Sequence, residues 1–200
     1  AGKIAGTISS PERVAENYFE SLVDSDYEKM FNYVMVTKSD FITKDKFVKY
    51  MENENPLQNR NILNYSIDEP RERGEMVSYC TVSYLLEGSV SENHMEIPLM
   101  KQAKKKLLFF DNYKVGLENI LSTNFTVTAP EGVKVEIDGI EVPCTSTEEG
   151  YSFYTVDRFF SGKYTVKISG GLVEDFTEEI HMNSGGNYYA RNLVLNQNTV

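Results

Sequence analysis

The 200-residue sequence has no tryptophan, only two cysteines, only two histidines and no apolar run approaching the roughly twenty residues a helix needs to cross a bilayer. Cys80 and Cys144 belong to no CxxC pair and stand at no zinc-like spacing from a histidine. They fall in different halves of the chain, so the expectation is two small buried thiols rather than a disulfide. His94 and His181 are far apart, which leaves little general-base chemistry near neutral pH and no pair to start a metal site. Glycine-rich phosphate loops, GxSxG and HExxH are all missing. No catalytic residue, metal or cofactor is expected.

Positive charge is also short. Twenty Lys and Arg face thirty Asp and Glu, for a net charge of −10. Such a surface repels a phosphate backbone and anionic headgroups, which excludes nucleic acid as the expected partner and direct binding to an anionic bilayer. The stretch from Ser122 onward carries −6 of that charge and the longer stretch before it −4. Glu148-Glu149, Glu174-Asp175 and Glu178-Glu179 lack the DxDxDG spacing of a calcium loop and are expected to be solvated faces that keep strand edges from pairing.

What is abundant is aromatic residues, 13 Tyr and 11 Phe, set in two successive hydrophobic rhythms. Up to about residue 53 the spacing is helical. Ser10 caps and Pro11 opens a helix over Pro11–Val23, with Val14, Tyr18 and Leu22 beside Ala15, Phe19 and Val23 on its buried stripe. A second helix is expected over Tyr27–Tyr33 with Met30, Phe31 and Val34 inward. Thr43 caps a third over Lys44–Asn53, with Phe47, Val48 and Met51 on one face, stopped by Asn55-Pro56. Alternation then takes over: Leu63, Tyr65, Ile67; Cys80, Val82, Tyr84, Leu86 within Met76–Glu87; Met95, Ile97, Leu99; and Leu107–Val115. These are expected to be curved antiparallel strands with one face on a core, and Lys101–Lys106 a solvated hairpin tip.

After Ser122 no helical stripe returns. Short strands are expected at Phe125–Ala129, Val133–Ile137, Tyr151–Val156, Lys163–Ser169, Phe176–Met182 and Tyr188–Leu195, separated by Asp138-Gly139, Gly170-Gly171 and Gly185-Gly186. The fold class is therefore α+β, with an α+β domain over 8–120 and an all-β sandwich over 121–200.

The segment PERVAENYFESL at residues 11–22, with Asp26-Tyr27-Glu28-Lys29-Met30 behind it and Lys105–Asp111 further on, resembles the first helices and last strand of NTF2-like domains. Phe109 or Phe110 would stand where that family often carries Trp. The hairpin Ala129-Pro130-Glu131-Gly132 to Asp138-Gly139, followed by Gly162-Lys163-Tyr164-Thr165-Val166-Lys167, resembles PEGA-like surface β-domains. The two in series are similar to the extracellular region of membrane-anchored Gram-positive envelope proteins of the TcaA/YvbJ kind.

That resemblance implies a cone of three helices on a curved sheet, a non-catalytic extracytoplasmic binding or scaffolding role at the cell surface, and attachment to the membrane through an anchor upstream of Ala1. The flexible opening Ala1–Thr7, without an initiator Met, fits removal of such a segment. The implied partner is a cell-wall polymer, a peptide or another envelope protein. The alternative is a small-molecule-binding protein or enzyme using the cone's pocket, for which Tyr18, Tyr79 and Tyr84 are the ligand-binding candidates. His94 and Glu96 are expected on the outer face or rim. A homodimer through the outer face of the sheet, at Val77 and Tyr79, is a third expectation.

Overall fold

The computed structural model describes residues 10–106, 110–171 and 173–196. The opening Ala1–Thr7 and the segment Leu107–Phe109 lie outside the described residues. The chain is mixed α+β, mostly β. It divides into two compact units, one of residues up to Thr37 with Thr43–Asn119, the other of Lys38–Ile42 with residues from Ile120 onward.

In the first unit, α1 spans Pro11–Val23, α2 Tyr27–Phe31 and α3 Lys44–Glu54. Each start is capped by the residue type that satisfies an orphan N–H. Ser10 Oγ accepts from Arg13 N–H at 3.3 Å, Asp26 from Lys29 N–H at 3.0 Å and Thr43 Oγ1 from Lys46 N–H at 3.4 Å. Val14, Ala15, Tyr18, Phe19 and Leu22 are buried along α1, matching the helical spacing. That face lies across a curled antiparallel sheet in the order β1 (Ile62–Ile67), β3 (Val77–Leu86), β4 (Asn93–Lys106), β5 (Phe110–Val115). The two-residue β2 (Arg71–Glu72) pairs with β3. Along β3, Cys80, Val82 and Tyr84 are buried and their neighbours are not, the signature of a strand with one face on a core.

Three details differ from expectation. Lys101–Lys106 is not a hairpin tip but the far half of β4, paired with β5. The second helix stops at Phe31, two residues early, and the chain turns through Asn32 and Tyr33 before leaving it. Val34 bridges in parallel to Val115, with Met35 N–H donating to Val115 O at 2.8 Å. Leu63 is 60% exposed, on the edge strand β1 where the register with β3 shifts between Ile62 and Asn64.

The second unit consists of two four-stranded sheets. One has the order β13 (Asn187–Tyr189), β6 (Leu121–Pro130), β10 (Tyr151–Phe160), β9 (Cys144–Glu148). The other has the order β12 (Phe176–Met182), β11 (Gly162–Ser169), β7 (Lys134–Ile137), β8 (Ile140–Val142). A single core joins them. Phe125, Val127, Tyr154 and Phe159 from the first sheet belong to one buried cluster with Val135, Ile137, Val166 and Ile168 from the second, and Phe41 belongs to it too.

The β7–β8 turn is Asp138-Gly139, both at positive φ (49° and 75°), the geometry a two-residue hairpin requires. Asp138 Oδ1 also accepts Thr165 N–H at 2.8 Å, which ties this turn to β11.

The last expected strand is largely corrected. Only Asn187–Tyr189 pair, in parallel with β6, and the chain then leaves the sheet. It returns to an isolated bridge between Leu195 and Val173.

The cysteines are both free, but only Cys80 is buried. Cys144 is exposed, because every residue of the edge strand β9 is. Burial pushes the Cys80 thiol up to about 11. One thiol per native chain should therefore react with a maleimide or Ellman's reagent at pH 8, and the second only after denaturation. Labelling of Cys144→Ser checks the assignment, since the native protein should then be silent.

Candidate functional site

The three tyrosines singled out as pocket candidates do not converge. Tyr18 is buried on α1, where loss of solvent chiefly, and Tyr50 nearby, hold its hydroxyl well above the usual phenol range. Tyr84 is buried on β3 with its ring 5.6 Å from that of Phe19, the residue next to Tyr18. Tyr79 lies apart from the other two. Five residues before Tyr84 on the same strand, it must face the opposite side of the sheet, since side chains alternate. There its ring lies under the Arg73 guanidinium at 4.7 Å. His94 is exposed with Nδ1 2.9 Å from Ser83 Oγ, and Glu96 is exposed on the same face. His181 is exposed as well.

Aromatic rings occupy the space between α1 and the sheet. Phe19 meets Tyr65 at 5.2 Å as well as Tyr84, and the Tyr65 hydroxyl donates to Glu20 at 2.8 Å. A shallow hollow of about 370 Å³ lies outside this packing, between the start of α1 and β1.

Tyr65 is pushed up to about 12, first by desolvation and then by its bond to Glu20. A phenol raised above its unfolded value of roughly 10 favours the fold below that pH and loses the contribution as pH climbs through about 12. Absorbance titration of the native protein should show one tyrosinate step near pH 12 that disappears in Tyr65→Phe and moves down in Glu20→Gln.

The larger hollow is in the second unit, a groove of about 630 Å³. Its floor comes from the outer face of β6 and β10. Phe125, Val127 and Ala129 of β6 point into the core, so Thr128 and Pro130 point out. Tyr154 and Val156 of β10 point in, so Tyr151 and Phe153 point out. Its wall is the segment that leaves β13, with Ala190, Leu193 and Leu195 lining it.

That wall is fixed by backbone bonds at both ends. Ala190 N–H donates to Thr128 O at 3.0 Å, and Glu174 N–H to Val194 O at 2.8 Å. Beneath it, Thr128 Oγ1 donates to Asn187 Oδ1 at 3.2 Å, and Asn187 Nδ2 donates to the Tyr189 hydroxyl at 3.1 Å. The Tyr189 ring is half exposed and carries the Arg191 guanidinium at 5.5 Å. Tyr151 is also half exposed, and Leu195 70%. At the β9–β10 turn, Glu149 and Gly150 both adopt positive φ (52° and 82°), which puts Glu148 and Glu149 on the groove's rim.

None of Tyr18, Tyr79 and Tyr84 lines either hollow. The groove residues were missed because Tyr188–Leu195 reads as a strand. A signal was present nonetheless. Tyr151-Ser152-Phe153-Tyr154 puts large rings on both parities of one strand, more apolar surface than a sheet with one wet face requires.

Among the described residues no group of three or more His, Cys, Asp or Glu could hold a metal ion, and no described helix is long and apolar enough to cross a membrane. Comparison with protein-family models, with curated proteins and with solved structures gives no match. The class defined by fold and site is thus an α+β protein with a rigid, aromatic, acid-rimmed groove on its β-rich second unit.

Proposed function

We propose that the chain is a non-catalytic binding module of a bacterial envelope protein, working outside the cytoplasmic membrane, and that the groove of the second unit is its recognition surface. The observation that carries this is the groove itself. Half-exposed rings on a floor of paired strands, walled by a segment bonded at both ends, form a preorganised surface that costs little entropy to occupy. In this reading the first unit is an NTF2-like cone whose interior is packed by Phe19, Tyr65 and Tyr84, and it serves as spacer rather than pocket. The second is a PEGA-like sandwich, supported by two sheets sharing one core and by the Asp138-Gly139 hairpin. The extracytoplasmic placement rests on the resemblance of residues 129–139 and 162–167 to surface β-domains.

Two measurements test it. Protease added to intact cells that make the protein should remove it within minutes; a protein shielded until lysis overturns the placement. Isolated envelope material should retain the protein, and the double variant Tyr151→Ala, Tyr189→Ala should fall through. Equal retention of that variant overturns the groove as the recognition surface.

A further inference from the structure

The groove's charge says what kind of partner fits it. Four carboxylates stand on or beside it, and none forms an ion pair among the described residues. Glu148 and Glu149 line the rim at the β9–β10 turn. Glu131 is exposed and tied to the same turn, its N–H donating to Gly150 O at 2.9 Å. Glu174 is exposed beside the wall, its N–H donating to Val194 O at 2.8 Å.

Elsewhere in this unit four carboxylates do find cations. Lys134 bridges Glu136 and Glu141, Lys163 meets Glu179, and Lys167 meets Asp175. Arg191, the one cation lining the groove among the described residues, rests on the Tyr189 ring. The groove therefore combines an apolar lining with unneutralised negative charge on and beside its rim. Beside it runs β9, an edge strand bonded on one side only, to β10, with all five residues exposed.

We propose, building on the reading of the groove as a recognition surface, that its occupant is an extended peptide segment with apolar side chains flanked by lysine or arginine. The apolar side chains pack on Tyr151, Phe153 and Leu193, the cations meet the carboxylates at the rim, and the β9 edge offers main-chain partners that only a peptide can use. A neutral glycan would stack on the rings and leave the four carboxylates uncompensated.

The test uses the intact chain and three dye-labelled decapeptides of matched apolar content, carrying Lys/Arg, Glu or Ser between the apolar residues, followed by fluorescence anisotropy. The cationic peptide should bind at least tenfold tighter than the other two. It should weaken several-fold between 50 and 300 mM salt, as screening of exposed charge requires (a Debye length of about 10 Å at 0.1 M). It should lose at least tenfold in Glu148→Gln, Glu149→Gln. Because both residues are exposed, an unchanged melting temperature of that variant shows that the loss is not unfolding.

Equal binding of the three peptides, or no effect of the double variant, overturns the proposal. So does equal binding of a cationic oligosaccharide at the same residues, and in that case the groove stands as a recognition surface while its peptide specificity falls. If neither peptides nor envelope glycan fragments engage Tyr151 and Tyr189, both readings fall together.

Discussion

Phe159→Ala should destabilise the second unit by about 3–5 kcal/mol, the range for emptying a buried aromatic site. Phe159 is fully buried at the end of β10. Its ring meets Phe125 of β6 edge-on at 6.1 Å and Tyr164 of β11 edge-on at 6.4 Å, so it touches side chains of both sheets. Such pairs add stabilisation beyond the area they bury. The strands that carry these rings are hydrogen-bonded at fixed registers, Phe159 opposite Ser122 and Tyr164 opposite Ile180, so the cavity cannot collapse freely. Against total stabilities of about 5–15 kcal/mol, the loss is a large share. Urea unfolding followed by circular dichroism should show a much lower midpoint. Tyr151→Ala on the same strand should shift it by no more than about 0.5 kcal/mol, since that side chain faces the groove.

Asn55→Ala should have the largest effect in the first unit. This buried amide uses both of its donors and accepts one bond at its carbonyl oxygen. Nδ2 donates to Leu22 O at 3.1 Å and to the Tyr27 hydroxyl at 2.9 Å, and Oδ1 accepts Leu57 N–H at 2.8 Å. It thereby joins the last turn of α1, the first residue of α2 and the chain leaving α3. Alanine strands those groups in a place water does not reach, at about 1–3 kcal/mol for each buried group left unpaired. Asn55→Asp should be no better. It keeps the acceptor but loses both donors and brings a charge into the core. A fall in midpoint for both variants, with little change for exposed Asn53→Ala, checks the assignment.

Asn55 also marks where the sequence stops being readable. An Asn before Pro56 reads as a helix stop, which it is, with its N–H donating to Met51 O. Two of its side-chain partners come from residues 33 and 28 positions away, and no local pattern encodes them. The helices of the first half were legible because Ser10, Asp26 and Thr43 are caps by chemistry and the apolar stripe repeats at helical spacing. The Asp138-Gly139 hairpin was legible because few residue pairs adopt that turn.

Sheet order was not legible. Nothing in Cys144–Glu148 announces a strand, as its five exposed polar or small residues carry no alternation. The parallel pairing of Asn187–Tyr189 with β6, rather than an antiparallel hairpin, is a long-range choice. The scatter of the candidate tyrosines has a related cause. Residue type pointed to Tyr18, Tyr79 and Tyr84, but strand parity sends Tyr79 to the other face and ring packing absorbs Tyr84. The groove arises instead where an apparent strand detaches from its sheet and becomes a wall.

The most direct test is an amide-shift map of the isotopically labelled chain titrated with the cationic peptide and with soluble envelope glycan fragments. One of the two should produce saturable shifts concentrated at Glu148 to Phe153 and at Tyr189 to Leu195, with the first unit unchanged. Saturable shifts centred on Tyr18 and Tyr84, or none in the groove with either ligand, would contradict the account.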